Sequence, residues 1–215
     1  MHYYVTLYLP CLIGLMAIIF LILGLRGLVT RKPFLISARW LFALMVLGFA
    51  PSLVSPFVFP MPHPAGVRLA GLTFLEWINP LMFVAILAFS WIMLQGYVAF
   101  AVTGGSFREG LLASIAKLDL PYEETLSAIR LPSLGADLQV AVQTWVGTGQ
   151  VKVKPRRFRP VLQDIVRGMN EYYQASTVPV NLAGCGFYVV IGVFLLAFAV
   201  VFAVGMPSLL PAPRV

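Results

Sequence analysis

The chain has 215 residues, 60% of them hydrophobic and 11% charged, with 15 Lys and Arg against 8 Asp and Glu for a net charge of +7. An ordinary soluble domain carries roughly 25% charged residues, so composition alone argues against one. The charges crowd into two segments and leave four long uncharged stretches, which is the pattern of a chain that crosses a membrane several times.

An α-helix rises 1.5 Å per residue, so a hydrocarbon core of about 30 Å takes roughly 20 apolar residues to cross. Residues 5–25, 40–58, 78–102 and 180–205 each meet that length. The start lacks the basic segment of a signal peptide, and residues 8–11 lack the small residues that precede a lipidated cysteine, so the first stretch reads as a span. Pro51 is expected to kink the second. Cys11 and Cys185 both fall inside apolar runs, which suggests neither a disulfide framework nor a zinc site.

Basic residues mark the cytoplasmic side. Arg26, Arg31, Lys32 and Arg39 lie between the first two spans, whereas the second connection holds only Arg68. Both termini are therefore expected outside, with the first and third connections in the cytosol, in a plasma membrane of the bacterial inner-membrane kind. The second connection opens with Pro60, Pro62 and Pro64, and Leu69, Leu72 and Leu75 then recur at three-residue spacing. They fit either a short interfacial helix or an early start of the third span.

Residues 103–178 differ in character. Ser106 and Glu109, after the Gly104–Gly105 break, suit a capping box, followed by an apolar face of Phe107, Leu111, Ile115 and Leu118. Pro121, Glu123 and Glu124 suit the first turn of a second helix. Leu138, Val140 and Val142 alternate with polar residues, as do Val151 and Val153, across a turn of Gly147, Thr148 and Gly149, which predicts a β-hairpin. Residues 129–131 supply a third, edge strand. A last helix starts at Pro160 and places Val161, Leu162, Ile165, Val166, Met169, Tyr172 and Tyr173 on one face. The expected fold is thus a membrane α-helical chain of four spans with a small α+β cytosolic module of order helix, helix, hairpin or three-stranded sheet, helix. Residues 1–102 hold the first three spans, 103–178 the module, and 179–215 the last span and an outer tail.

No Asp, Glu, Lys, Arg or His lies between the predicted ends of the spans, which argues against proton relays and ion-coupled transport, since both need ionisable groups in the membrane. Ser90 and Gln95 are the polar groups that would line a pore. The module has neither His nor Cys, the usual base and the strongest nucleophile. It also has no phosphate loop and no metal-ligand spacing. Glu109, Asp119 and Asp137 are the carboxylates a membrane-interface enzyme would use. The sharpest local feature is the run from Lys152 through Lys154, Arg156 and Arg157 to Arg159. Five cations near a membrane suit anionic headgroups or an acidic partner, and with only Phe158 among them nucleic acid is not the expected ligand. Gly192, Ala199 and Ala203 form a small-residue stripe for helix packing, within the chain or with a second copy. These features together predict a non-catalytic accessory or assembly subunit of a larger membrane complex. A homo-oligomeric channel or lipid-handling transporter is the alternative, and a membrane-interface enzyme the next. Apolar spans hold pigments, quinones or lipids without a sequence signature, so no cofactor is assigned.

Overall fold

The computed structural model describes residues 2–58, 70–125 and 128–208. Two compact units emerge, one of Ser37–Gln95 and one of His2–Ile36 with the chain from Gly96 onward.

The smaller unit is a pair of helices, α2 (Ala38–Val58) and α3 (Ala70–Met93), which pack on each other. Phe42 meets Trp91 edge to face at 5.0 Å between ring centres. Ala70 to Met93 is one continuous helix, so Leu72 and Leu75 belong to α3 itself and not to a separate interfacial helix. Leu69 and the Pro60, Pro62, Pro64 segment lie outside the described residues.

The larger unit joins a long antiparallel helix pair to an α/β layer. Helix α1 (His2–Thr30) packs along α6 (Leu182–Ser208). Within them, residues 10–30 and 182–205 are each long and apolar enough to cross a membrane. Between these helices in the chain lie β1 (Phe34–Ser37), β2 (Tyr97–Phe100), α4 (Gly104–Lys117), β3 (Glu123–Glu124), β4 (Ala128–Leu131), β5 (Ala136–Gln143), β6 (Thr148–Lys154) and α5 (Arg159–Ala175). The strands form a single antiparallel sheet of order β1-β2-β6-β5-β4-β3.

Three expectations are corrected here. The third apolar helix stops at Met93, not at residue 102, and Tyr97–Phe100 is a strand paired with β6, Tyr97 opposite Val151 and Phe100 opposite Thr148. An apolar run looks the same to a bilayer and to a two-sided sheet core, so composition did not separate them. The expected three-stranded sheet is six-stranded, because β1 from the first connection and β2 both join it. Glu123 and Glu124 do not open a helix but pair with β4 as the far edge strand, Glu123 opposite Arg130 and Glu124 opposite Ile129. Glu124 is held there by Arg108 of α4, whose Nε and Nη2 donate to its two oxygens at 2.8 and 2.6 Å.

Helices α4 and α5 cover one face of the sheet. Phe107, Leu111 and Ile115 from α4, Leu162, Ile165, Met169 and Tyr173 from α5, and Leu131, Leu138 and Val151 from the strands make the core. The two helices approach closely because small residues face each other. A Cβ on Gly110 would stand 2.7 Å from the Tyr173 ring, and one on Gly168 2.8 Å from Ser114 Cβ. The Tyr173 hydroxyl donates to the Ser106 carbonyl at 3.3 Å, and burial holds its pKa well above the usual phenol value.

The capping box of α4 sits one turn earlier than its sequence spacing suggests. Thr103 is the N-cap: its Oγ1 accepts from Ser106 N–H at 3.1 Å, while Ser106 Oγ accepts from Thr103 N–H at 2.9 Å. The two glycines are therefore the first helical residues and not a break. Substituting Thr103 with alanine removes both the acceptor and the reciprocal geometry, so the α/β layer is expected to lose about 1 kcal/mol. A lower thermal midpoint of the full chain, set beside an unchanged Thr103→Ser variant, is the readout.

Candidate functional site

Side chains alternate between the faces of a strand, and at β1 and β2 that alternation divides the residues between two cores. Leu35, Tyr97 and Ala99 point into the core under α4 and α5. Phe34, Ile36, Val98 and Phe100 point the other way, into a second cluster with Ile19 and Leu23 of α1 and Tyr188 of α6. The α/β layer is thus not a bead tethered by two linkers. Its first two strands are built into the side of the α1–α6 pair.

A chain of rings marks this junction. Phe34 stacks on Phe100 at 5.6 Å, Phe100 meets Tyr188 at 5.8 Å, Tyr188 meets Phe187 at 6.2 Å, and Phe187 meets Trp145 at 5.7 Å. Arg26 lies over the Phe34 ring at 4.6 Å, a cation–π contact worth about 0.5–1 kcal/mol at an exposed site. Lys32 donates to the carbonyl of Gln174 at the end of α5, where the helix dipole favours a cation.

The start of α6 is clamped to the β5–β6 turn. Asn181 Oδ1 accepts from Gly184 N–H at 2.8 Å while its amide donates to Thr144 O. Val102 N–H donates to Gly147 O at 3.1 Å, and Asn181 N–H to Ala101 O at 3.1 Å. Gly147 has a φ of +67°, and a Cβ on Gly184 would lie 2.5 Å from Val146 O, so the turn and the helix meet backbone to backbone.

The α1–α6 seam absorbs part of the small-residue stripe. A Cβ on Gly192 would meet Leu21 Cγ at 2.7 Å, and Ala199 is buried 4.0 Å from the Cβ position of Gly14. Ala203 is exposed. The tighter contacts come from glycines on α1 that the stripe did not include: Gly24 faces the Cys185 carbonyl and Gly27 faces the Cys185 sulfur. Their three-residue spacing one turn before the end of an apolar run was the available signal.

Beyond β2, on the α1–α6 side of the sheet, Gln150 and Lys152 of β6 are half-buried. On the central strand β5, Gln139, Ala141 and Gln143 are exposed while Leu138 is buried. Lys152 stands opposite Gln139 and Lys154 opposite Asp137 in the β5–β6 register, and Arg130 is opposite Asp137 across β4. Alternation therefore puts Lys152, Lys154 and Arg130 on this face, with Arg130 Nε 3.5 Å from Asp137 Oδ1. Partial burial, and then the charge of Lys154, hold the Lys152 ammonium below the usual lysine pKa. The rest of the basic run lies elsewhere. Arg156 and Arg157 are exposed on a 3-10 turn, Arg157 over the Phe158 ring at 4.8 Å, and Arg159 is half-buried at the start of α5.

The structure does not gather the remaining candidates. Gln95 lies past the last residue of α3, its amide donating to Trp91 O at 3.4 Å, while Ser90 is buried within α3. Gln95 therefore follows α3 and does not lie within it. Glu109 is exposed on α4, Asp119 is exposed in the turn after it with a φ of +54°, and Asp137 is on the opposite side of the sheet. Among the described residues, no group of three or more His, Cys, Asp or Glu converges as a metal site would require. Compared with known proteins, the chain matches no family model, no curated protein and no solved structure.

Proposed function

We propose that this chain is a non-catalytic accessory or assembly subunit of a larger membrane complex. In this reading α1, α2, α3 and α6 cross the bilayer, the termini face outward, and the α/β layer lies in the cytosol. One observation carries it: the second face of β1 and β2 packs on α1 and α6, and further along the sheet that same face presents Lys152, Lys154 and Arg130 together with Asp137. The exposed Gln139, Ala141 and Gln143 of β5 and the neighbouring cations would form the docking surface, joined to the α1–α6 pair through the junction rings.

The strand order couples the crossings of α2 and α3 to each other. Because β1 and β2 are neighbours in the sheet, the excursion through α2 and α3 starts and ends at one level, so both helices cross or neither does. Exposed apolar side chains along α6, such as Val190, Phe194 and Val204, would be unfavourable in water, at about 25 cal/mol per Å². They suit lipid or a partner's helices. Arg26, Arg31 and Lys32 fall at the end of α1 that leads into β1, and Arg39 is in the first turn of α2, which favours a cytosolic side for that connection by the rule that retains basic residues there.

The partner would be an acidic cytosolic surface, with anionic headgroups as the competing ligand of the same chemistry. An anion beside Lys152 would offset the burial and the Lys154 charge that lower its pKa. The double substitution Lys152→Glu, Lys154→Glu tests this. Purified in mild detergent from its native membrane, the full chain is expected to carry a stoichiometric partner, identified by mass spectrometry, that the variant loses while remaining folded. A wild-type chain that purifies alone, or a variant that retains its partner, would count against the reading. Binding of the wild type to anionic vesicles without any protein partner would assign the face to lipid instead.

A further inference from the structure

We infer that Trp145, at the tip of the β5–β6 hairpin, is an interfacial anchor whose indole sits at the headgroup–acyl boundary of the bilayer, so that the α/β layer rests on the lipid surface. The inference relies on the proposed crossing by α6 but on no partner. It adds a second membrane contact made by the sheet itself.

Trp145 is 71% exposed although it belongs to a turn with little freedom. Asn181 and Gly184 hold the neighbouring backbone of Thr144 and Val146, and Val146 and Gly147 are buried. A large aromatic ring on a held backbone gains from an apolar surrounding on its open side. Among the described residues its ring neighbour is Phe187 on α6, itself 41% exposed, and below Phe187 the same helix continues with Val190, Val193 and Phe194 exposed. The indole thus extends the apolar outer surface of α6 sideways at its top.

Two arguments place that level at the membrane boundary. Helix α6 has 27 residues, about 40 Å at 1.5 Å per residue, so roughly 10 Å exceeds a hydrocarbon core of about 30 Å. Phe187 is the sixth residue of the helix. Independently, Gly24 and Gly27 of α1 lie against Cys185 and Val189, which brings Arg26 level with the Phe187 region, and a guanidinium marks where the hydrocarbon ends. Tryptophan is enriched at that depth because its ring is apolar and its single N–H finds water or a headgroup. Phospholipid as such is the ligand, and no anionic headgroup is required.

The test reads the emission of Trp145 alone as the difference between the wild-type full chain and Trp145→Phe, both in phosphatidylcholine nanodiscs. The discs contain lipid brominated either near the carbonyl end of the acyl chain or near its methyl end. A depth control is the added emission of Phe194→Trp. The Trp145 share is expected to lose emission chiefly to the shallow bromines, and the Phe194→Trp share chiefly to the deep ones. An unquenched Trp145 share beside a quenched control would place the tip in water and overturn the inference while leaving the crossing intact. Stronger loss to deep bromines would overturn it too, since the ring would then be in the core. Failure of both signals would overturn the crossing by α6 together with the anchor.

Discussion

Replacing Gly24 with valine is expected to separate α1 from α6 and release the sheet from its support. Any Cβ at this position would lie 2.8 Å from the Cys185 carbonyl oxygen and 2.9 Å from Val189 N. Both are backbone atoms of a helix, so relief requires the helices to move apart and not a rotamer to change. Overpacking of a well-fitted core costs about 1–3 kcal/mol and occasionally more. Here the upper part of that range is expected, because separation also loosens the cluster of Leu23, Phe34 and Phe100 one residue away. Proteolysis of the purified chain in detergent or nanodiscs would show it, with cleavage in residues 31–37 accelerated over wild type. The neighbouring Leu25→Val, on an exposed position, serves as the silent control. Equal cleavage in all three would mean that the seam does not support the sheet.

The second large effect is expected at Gly96, where the chain passes from α3 into β2. Its φ is +84°, and a Cβ would stand 2.0 Å from Val151 O and 3.1 Å from Lys152 Cα on β6. Gly96→Ala therefore combines a disfavoured backbone conformation, about 1–2 kcal/mol for an L residue in the left-handed region, with a collision against a backbone carbonyl. The β2–β6 register must slip or part to accept it. A one-residue slip would exchange Val98 and Phe100 with Tyr97 and Ala99 between the two cores. Hydrogen exchange should rise across Tyr97–Phe100 and Thr148–Lys154 and stay near wild type in α5. By contrast Gly105→Ala, with nothing within 4 Å of its Cβ position, should leave the exchange pattern unchanged or slightly slower. Unchanged protection in Gly96→Ala would refute the contact.

The sequence was most informative where one side of an element meets water. Period-2 alternation in residues 138–142 and 151–153 located β5 and β6, and the apolar stripe from Leu162 to Tyr173 located α5, because polar partners mark the solvent side. It was least informative where both sides are apolar. β1 is four residues inside a basic connection, and β2 continues an uncharged run, so neither offered a contrast between faces. Pro121 followed by two glutamates has the chemistry of a helix start, yet the strand pairing with β4 and the Arg108 pair to Glu124 prevailed. Of the candidate site, the cations were legible one by one. That Lys152 and Lys154 share a face while Arg156 and Arg157 do not depends on where β6 ends. Trp145 carried no signal beyond its place in a hairpin turn, since its neighbour Phe187 is 42 residues away in the chain.

The strand order also sets a schedule for biosynthesis. β1 and β2 emerge from the ribosome with α2 and α3 between them, but β2's other neighbour, β6, is made some fifty residues later. Until then one edge of β2 stays bare, and bare edges recruit other chains. Synthesis of α2 and α3 therefore precedes closure of the sheet, and the arrival of Thr148–Lys154 seals that edge. A nascent chain halted before Thr148 would keep that edge unpaired, and the core stays uncovered until α5 has followed.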